Sequence, residues 1–479
     1  MKTPATLGAT LRASIGTFAF LLACAPATAK PVVAATLQAD TTRWDDASKA
    51  ALQAALADRA RHGLDKVAFL DSPDTATDTE LSAAALRYAY ALAQGLVDPT
   101  TLHDPFTLSR SGTKLEAGLA KAVAEHRLDE WLAGLAPQDA EYAQLSQAYR
   151  DLRAMPDITT AIGPGVIKVG QSDPRVPAIV GRLSSGGYLP ADFSGNAALY
   201  TRQVADAVAA LQRDNGMVAD GIVGPDTLDV LNRKPADRAR AIAVALERRR
   251  WLDRSPPPTR IDVNTAAAEL QYFRDNVLVD TRRVVVGASG TETPPLQSPI
   301  YRLVANPTWT VPKSIQNGEL ANVGAEYLAA NNMELRDGWI VQGSGPDNAL
   351  GLVKFDMSNA HAIYLHDTSA PELFGKSQRH RSHGCVRVED ALGFAQMLAD
   401  EQGLSEAWAT AQAAGEQQFV PLKTSIPVRL IYRNTFVDGD GKVAFRTDPY
   451  GWNAPIAKAL GLGDSIQAKV ASDAIDIAP

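Results

Sequence analysis

Arg381-Ser382-His383-Gly384-Cys385-Val386-Arg387-Val388 is the stretch on which the reading of this chain turns. It holds one of only two cysteines in 479 residues. Four of the seven histidines, His361, His366, His380 and His383, fall between 361 and 383, ahead of Cys385. A thiol is a weak nucleophile until it loses its proton; an adjacent imidazole takes that proton and a nearby cation holds the thiolate. Cys385 as nucleophile, His366 or His383 as base and Arg387 as cation supply those parts. The competing reading is a buried cysteine acting as a small hydrophobe. The crowding of histidines favours chemistry, with His361 and His380 read as surface bystanders.

Composition limits the alternatives. Hydrophobic content of 46% and charged content of 21% are ordinary for a soluble globular protein, and the length suits roughly three domains. A net charge of −7 argues against nucleic acid as a partner, because phosphate binding needs a basic face. Two cysteines make no disulfide framework. Residues 1–29 read as a signal peptide: Lys2 and Arg12, an apolar run from Ile15 to Ala25 too short to span a bilayer, then Ala27-Thr28-Ala29 before a mature start at Lys30. This predicts export to the periplasm with no integral membrane span. Leu21-Leu22-Ala23-Cys24 resembles a lipoprotein cleavage box, so lipid anchoring at Cys24 is the rival expectation. Cleavage after Ala29 leaves Cys385 a free thiol in an oxidising compartment, itself a hint of use.

Working outward, residues 30–160 read as a helical scaffold. Ala50–His62 follows Ser48 as a candidate N-cap, and apolar stripes run through Leu81–Leu96, Leu115–Leu135 and Tyr142–Leu152. Gly163-Pro164-Gly165 marks a boundary. Residues 161–235 form a small helical module with stripes at Val176–Leu183 and Val204–Leu211, then Asp220-Gly221-Ile222-Val223-Gly224-Pro225-Asp226-Thr227-Leu228. Residues 236–259 read as a basic helix, Arg238 to Trp251, with a solvated charged face, and a Pro256-Pro257-Pro258 spacer. From Arg260 the period changes to that of strands, continuing through Ile300–Ala305, Trp339–Val341, Ala362–Leu365, Val428–Tyr432 and Val443–Phe445. The insert Asn306–Asn332, with Trp309, has the size of a lid. Asp438-Gly439-Asp440-Gly441 lacks a full calcium ligand set and reads as a hairpin turn. The histidine spacing fits no zinc motif. The fold class is therefore multidomain α+β: a mostly β catalytic domain over residues 260–479, a three-helix module and a helical scaffold.

Ile363-Tyr364-Leu365-His366-Asp367-Thr368 followed by the stretch around Cys385 resembles the catalytic signature of bacterial L,D-transpeptidases. Within residues 161–235, Ala-Leu-Gln and the run from Asp220 to Leu228 resemble a peptidoglycan-binding module. Ala305–Pro312 and Asp448-Pro449-Tyr450-Gly451 resemble the large subgroup that joins such a module to a helical scaffold. The resemblance implies a role in wall biogenesis and cell shape, and partners that are peptidoglycan stem peptides and glycan, together with other wall-synthesis enzymes. Its chemistry uses no metal or cofactor. Cys385 would attack the carbonyl between diaminopimelate and the terminal D-alanine of a tetrapeptide stem, and the resulting thioester would pass to the amine of a second stem, giving a 3→3 cross-link. His366 matches the base. His383, Gly384 and Cys385 would supply oxyanion-hole N–H groups. Arg387, Asp367, Ser382, Trp309 and Tyr364 would surround the substrate. Asp367 stands where many members have glycine. A carbapenem would mimic the donor. Two alternatives stay open: water resolves the thioester, making the protein a carboxypeptidase or hydrolase, or the chain only binds wall.

Overall fold

The computed structural model describes residues 42–112, 114–194 and 198–463. The signal peptide and Cys24 lie outside them. Helix α1 (Asp46–Ala57) is capped by Asp45, whose carboxylate accepts from the Ser48 N–H at 2.8 Å, so Asp45 and not Ser48 is the cap. α2 (Asp78–Gln94) opens on a Thr77–Glu80 capping box. The stripe expected to run from 115 to 135 is two helices, α3 (Leu115–Ala124) and α4 (Leu128–Leu135). The chain turns between them at His126, which adopts φ 56°. α5 (Ala140–Ala154) completes the scaffold, whose core gathers Leu52, Leu81, Tyr88, Leu119, Leu145 and Tyr149.

The module consists of α6 (Val176–Ser185), α7 (Arg202–Asp214) and α8 (Pro225–Leu231) around its own core of Ile179, Leu183, Val208, Leu211 and Leu228. Gln212 explains why the motif needs that residue. Its buried amide donates to Asp220 Oδ1 and the Ile222 carbonyl and accepts from the Gly221 N–H, pinning the turn to α7.

α9 (Pro235–Trp251) overturns the expectation of a solvated charged face. Glu247, Arg248 and Arg250 are buried, and Ile242, Ala243 and Leu246 join the scaffold core. Arg250 is paired with Glu247 at 2.6 Å and also donates to the His62 carbonyl and Tyr142 hydroxyl. Buried charge is tolerated because each head group is hydrogen-bonded.

The catalytic domain begins with β1 (Arg260–Asn264), β2 (Glu269–Arg274), β3 (Val277–Gly287) and β4 (Leu296–Ala305). An insert follows: β5 (Trp309–Thr310), α10 (Lys313–Asn317), α11 (Ala325–Ala330), β6 (Met333–Arg336) and β7 (Trp339–Gln342). Trp339–Val341 therefore belongs to the insert's own sheet, ordered β5-β7-β6, and not to the main sheet; the insert is longer than expected and has a core of Trp309, Val311, Ile315, Leu320 and Ile340. The domain resumes with β8 (Val353–Met357), β9 (Leu365–His366), β10 (His380–Ser382), β11 (Val386–Val388), α12 (Ala391–Glu401), α13 (Ser405–Ala413) and β12 (Gln418–Ile431). Nine strands run β10-β3-β11-β9-β8-β4-β12-β1-β2, and β2 also pairs with β3, so the sheet closes on itself. Its core takes Phe394 and Leu398 from α12 and Trp408 from α13.

The end of the described chain does not complete that sheet. β13 (Thr435–Val437) and β14 (Val443–Phe445) form a separate hairpin, turned by Asp438 accepting from the Asp440 and Lys442 N–H groups. Val437, Val443 and Phe445 pack on the scaffold core, and α14 (Asn453–Ala459) with Leu460 adds Ile456, Ala457 and Leu460 to it. The region expected to be wholly catalytic from 260 onward thus ends inside the scaffold.

Candidate active site

Strands β9 and β11 run parallel, with Leu365 opposite Val386 and His366 opposite Arg387. Leu365, Val386 and Val388 point into the core. The alternation of a strand therefore sends His366 and Arg387 to the other face, and Cys385 and Tyr364 follow one step along it. The Val386 N–H donates to the Tyr364 carbonyl at 3.1 Å and fixes that register. Cys385 and His366 thus stand diagonally on neighbouring strands, with the Tyr364 ring 5.6 Å from the His366 ring.

The sulfur is buried and lies 3.6 Å from the Ala362 carbonyl. Burial pushes the thiol up to about 11, while hydrogen bonds from the Tyr364 backbone and hydroxyl and the charges of Lys354 and Arg387 pull it down. Tyr364 is itself held well above the usual phenol range, by burial first and by the neighbouring sulfur second. Lys354 places its ammonium 4.3 Å from the Tyr364 ring centroid and 2.8 Å from Asp356. The resting thiol is therefore neutral.

The turn before Cys385 depends on Gly384, whose φ of 115° suits only glycine. Its N–H is directed to Ser382 Oγ at 3.2 Å, so it is engaged within the turn and is not presented to an oxyanion as expected. Ser382 is fully buried; its hydroxyl donates to the Cys385 carbonyl at 2.6 Å, a brace and not a substrate contact. Thr293 donates to the Gly384 carbonyl at 2.8 Å and Thr291 to the Ser382 carbonyl at 2.9 Å, so the turn is tied down from a second strand connection.

Further expectations are corrected by burial. Arg387 is fully buried, so its guanidinium acts on the protein and on the thiol's charge, not on a substrate carboxylate. Trp309 is a core residue of the insert. Asp367 accepts from the Leu352 N–H at 2.9 Å and stitches the exit of the insert to β9, with its carboxyl raised by burial. Gly351 is required there: it has φ 62°, and a Cβ would lie 2.3 Å from Asp367 Oδ2. His383 turns its ring to the insert, with Nε2 2.9 Å from Glu319 Oε1, and Glu319 is held below the usual carboxylate range by that bond. His361 is exposed, as expected of a bystander; His380 is not a surface residue, since Nε2 meets the Thr265 carbonyl at 2.8 Å and burial lowers it to about 4.

Three contributors carried no signal in the sequence: Glu319, Lys354 and Thr293 act through tertiary contact alone. Tyr450 was inside a noted motif, and its role is now visible. Its hydroxyl donates to the Gly287 carbonyl at 2.7 Å and backs the strand end that carries the Thr293 loop.

Comparison with known proteins bears on the domains that surround this site. Residues 258–424 match the model of the L,D-transpeptidase catalytic domain, residues 28–148 that of a scaffold domain, and residues 172–231 a "Putative peptidoglycan binding domain". A Haemophilus influenzae protein named "Putative L,D-transpeptidase" is 31% identical over 220 residues, covering 41% of this chain and 45% of that protein; the match thus spans under half of the relative's length. Among solved structures, an L,D-transpeptidase from Stackebrandtia nassauensis is 14% identical, covers 57% of this chain and 97% of that one, and has a TM-score of 0.24. One from Xylanimonas cellulosilytica is 19% identical, covers 56% and 98%, and scores 0.20. At those scores the overlays place no residue. The chain carries an L,D-transpeptidase catalytic domain, a scaffold domain and a peptidoglycan-binding domain.

Proposed function

We propose that this chain, built on an L,D-transpeptidase catalytic domain, cross-links peptidoglycan stems through a thioester on Cys385. The observation that supports this most directly is the parallel register of β9 and β11, which sets Cys385 and His366 on one face beside Tyr364. A thiol at about 11 costs on the order of 5 kcal/mol to ionise at neutral pH. The reaction therefore needs a base at the moment of attack, and His366 is the imidazole on that face.

In the proposed sequence the Cys385 proton passes to His366 as sulfur attacks the carbonyl between diaminopimelate and the terminal D-alanine. The tetrahedral adduct collapses, the C–N bond breaks, and the imidazolium returns its proton to the leaving amine. An amine from a second stem then attacks the thioester and gives its proton to His366. The thiolate leaves and regains that proton. Tyr364, which hydrogen-bonds the sulfur, steadies the thiolate in both half-reactions. The stem peptides and glycan are the substrates, and the periplasm is the site of action. Among the described residues no helix is long and apolar enough to cross a membrane.

Intact-mass measurement tests this. Incubation with a tetrapeptide donor or a carbapenem is expected to give a single adduct, lost in Cys385→Ala. Absence of any adduct across neutral and mildly alkaline pH would refute the thiol mechanism. With an added amine acceptor, a cross-linked product supports transfer, and exclusive release of tripeptide makes the protein a carboxypeptidase.

A further inference from the structure

A cleft of about 320 Å³ lies away from Cys385, between the peptidoglycan-binding module and the catalytic domain. The module supplies the turn Asn215–Val218, the catalytic domain supplies Ala266–Glu269 and the segment Phe374–His380, and Arg446 comes from the end of the hairpin that packs on the scaffold. The volume falls at the small end of ligand sites.

Its polar groups are arranged in an unusual way. Half-buried Glu269 faces the cleft, and burial raises its carboxyl while Arg446 and Arg379 act in the opposite sense. Yet among the described residues neither arginine forms an ion pair with it; its hydrogen-bond partner is the Gln271 amide at 3.0 Å. Arg379 spends its guanidinium on backbone carbonyls, those of Val284, Lys376, Ala267 and Ala268, and so serves as cleft wall. Arg446 uses Nη1 on the Asp214 and Phe445 carbonyls and lies 5.2 Å from the Phe436 ring centroid, while Nε and Nη2 make no further hydrogen bond among the described residues. The Lys376 ammonium is exposed, and no acidic side chain among the described residues pairs with it. His380 presents a buried Nδ1 with no hydrogen-bond partner, an acceptor because Nε2 donates to Thr265. Charges in partly desolvated sites are normally paired. Here Glu269 and Arg446 act on one another's charge without forming an ion pair, and Lys376 and His380 line the same cleft.

The module turn is fitted to this arrangement. Gly216 has φ 68°, and a Cβ there would lie 2.6 Å from Arg446 Cδ. Only a glycine lets the module close over the arginine at this wall of the cleft.

We propose that this cleft is a second stem-peptide site, which takes the free α-amino-acid end of a diaminopimelate side chain, its ammonium at Glu269 and His380 and its carboxylate at Arg446 and Lys376. The inference rests on the wall-substrate reading above. β10 is three residues long and joins the two sites: it carries His380 at the cleft and Ser382 at the nucleophile turn. A stem held in the cleft would tether the wall strand while another stem reacts at Cys385.

The test uses the full chain bearing Cys385→Ala, which forms no acyl adduct, and calorimetric titration with the tripeptide L-alanyl-γ-D-glutamyl-diaminopimelate. Glu269→Gln and Lys376→Ala are each expected to weaken binding about tenfold or more, the worth of one charge-assisted contact. Acetylating the side-chain amine of the probe should weaken binding to the parent by a similar factor but leave the Glu269→Gln affinity unchanged, which a merely structural Glu269 would not produce. Equal affinity in all variants overturns the proposal, as does a chitooligosaccharide binding better than the tripeptide, which would make the cleft a glycan site. Failure of Cys385 acylation would sink the proposed reaction without touching this result.

Discussion

At the scale of single residues, the decisive feature is that Cys385 rests as a neutral thiol. Burial dominates its titration, and Tyr364 is the largest opposing influence. Alkylation of the free protein by iodoacetamide should therefore keep rising with pH well beyond neutrality, since only the thiolate reacts. A plateau near neutral pH would mean a preformed thiolate–imidazolium pair and would contradict this account. Tyr364→Phe removes a hydrogen bond that favours the anion, so at fixed mildly alkaline pH its alkylation should be several-fold slower, with the profile displaced upward. The second residue-scale expectation concerns Glu319. Its pairing with His383 is partly exposed, and such pairs are worth about 0.2–1 kcal/mol. Glu319→Gln should therefore raise KM for a peptide donor by no more than about fivefold and leave kcat nearly unchanged, measured by D-alanine release. A loss of kcat of about a hundredfold would instead place His383 in the chemistry.

At the scale of elements, α9 decides how firmly the scaffold stands. Glu247 accepts from the Val97 N–H at 2.8 Å and from Trp251 Nε1 at 3.2 Å while pairing with Arg250, all out of water. Removing the carboxylate strands a guanidinium in the core, which typically costs about 3–5 kcal/mol. Glu247→Ala should thus lose several kcal/mol in chemical denaturation, whereas Glu130→Ala, which removes an exposed i,i+3 partner of Arg127, should lose under about 1 kcal/mol. Comparable effects from the two would refute the structural role. The same helix shows where sequence reading stops. A run of five arginines between 238 and 250 looks solvated because the partners that bury it, Tyr142, Asn434 and Asn453, are distant in the chain. The nucleophile stretch was legible because its chemistry is local: Gly384 at a positive φ forms the tight turn and Cys385 follows at the strand entry. The split of 115–135 and the insert's private sheet were not legible, since continuous apolar periodicity does not say which core it enters. Nor did periodicity reveal that Ser382, Arg387 and Trp309 are buried, because their residue types suit a binding surface equally well.

At the scale of the molecule, the domains are coupled through the scaffold core, and two buried histidines record that coupling. His62 is held down to about 3, by burial first and then by Arg250 and Arg61; its Nδ1 lies 3.0 Å from the Tyr142 hydroxyl. His103 is likewise held down to about 3, by burial first and then by Arg248, with its ring 4.3 Å from that of Trp452 in the chain's last described segment. Both are neutral when folded and titrate near 6.5 when unfolded. Between about pH 6.5 and 3 the unfolded chain therefore binds more protons, so stability rises with pH in that window. The stabilisation is fully present above about 6.5 and is lost as pH falls from there toward 3, at about 1.4 kcal/mol per pH unit for each histidine. Scanning calorimetry should show Tm nearly level from pH 7.5 to about 6.5 and then falling steadily to pH 5, before the ordinary carboxylates titrate. Replacing His103 with Gln, which cannot take up a proton, should flatten that slope by one histidine's share even if it lowers Tm at pH 7.5. Because His103 stands where the scaffold meets the last described segment, the acid transition should remain a single calorimetric peak. A Tm independent of pH across that range would show that neither ring is buried as described, and two separated peaks would show that the scaffold and catalytic domain unfold independently.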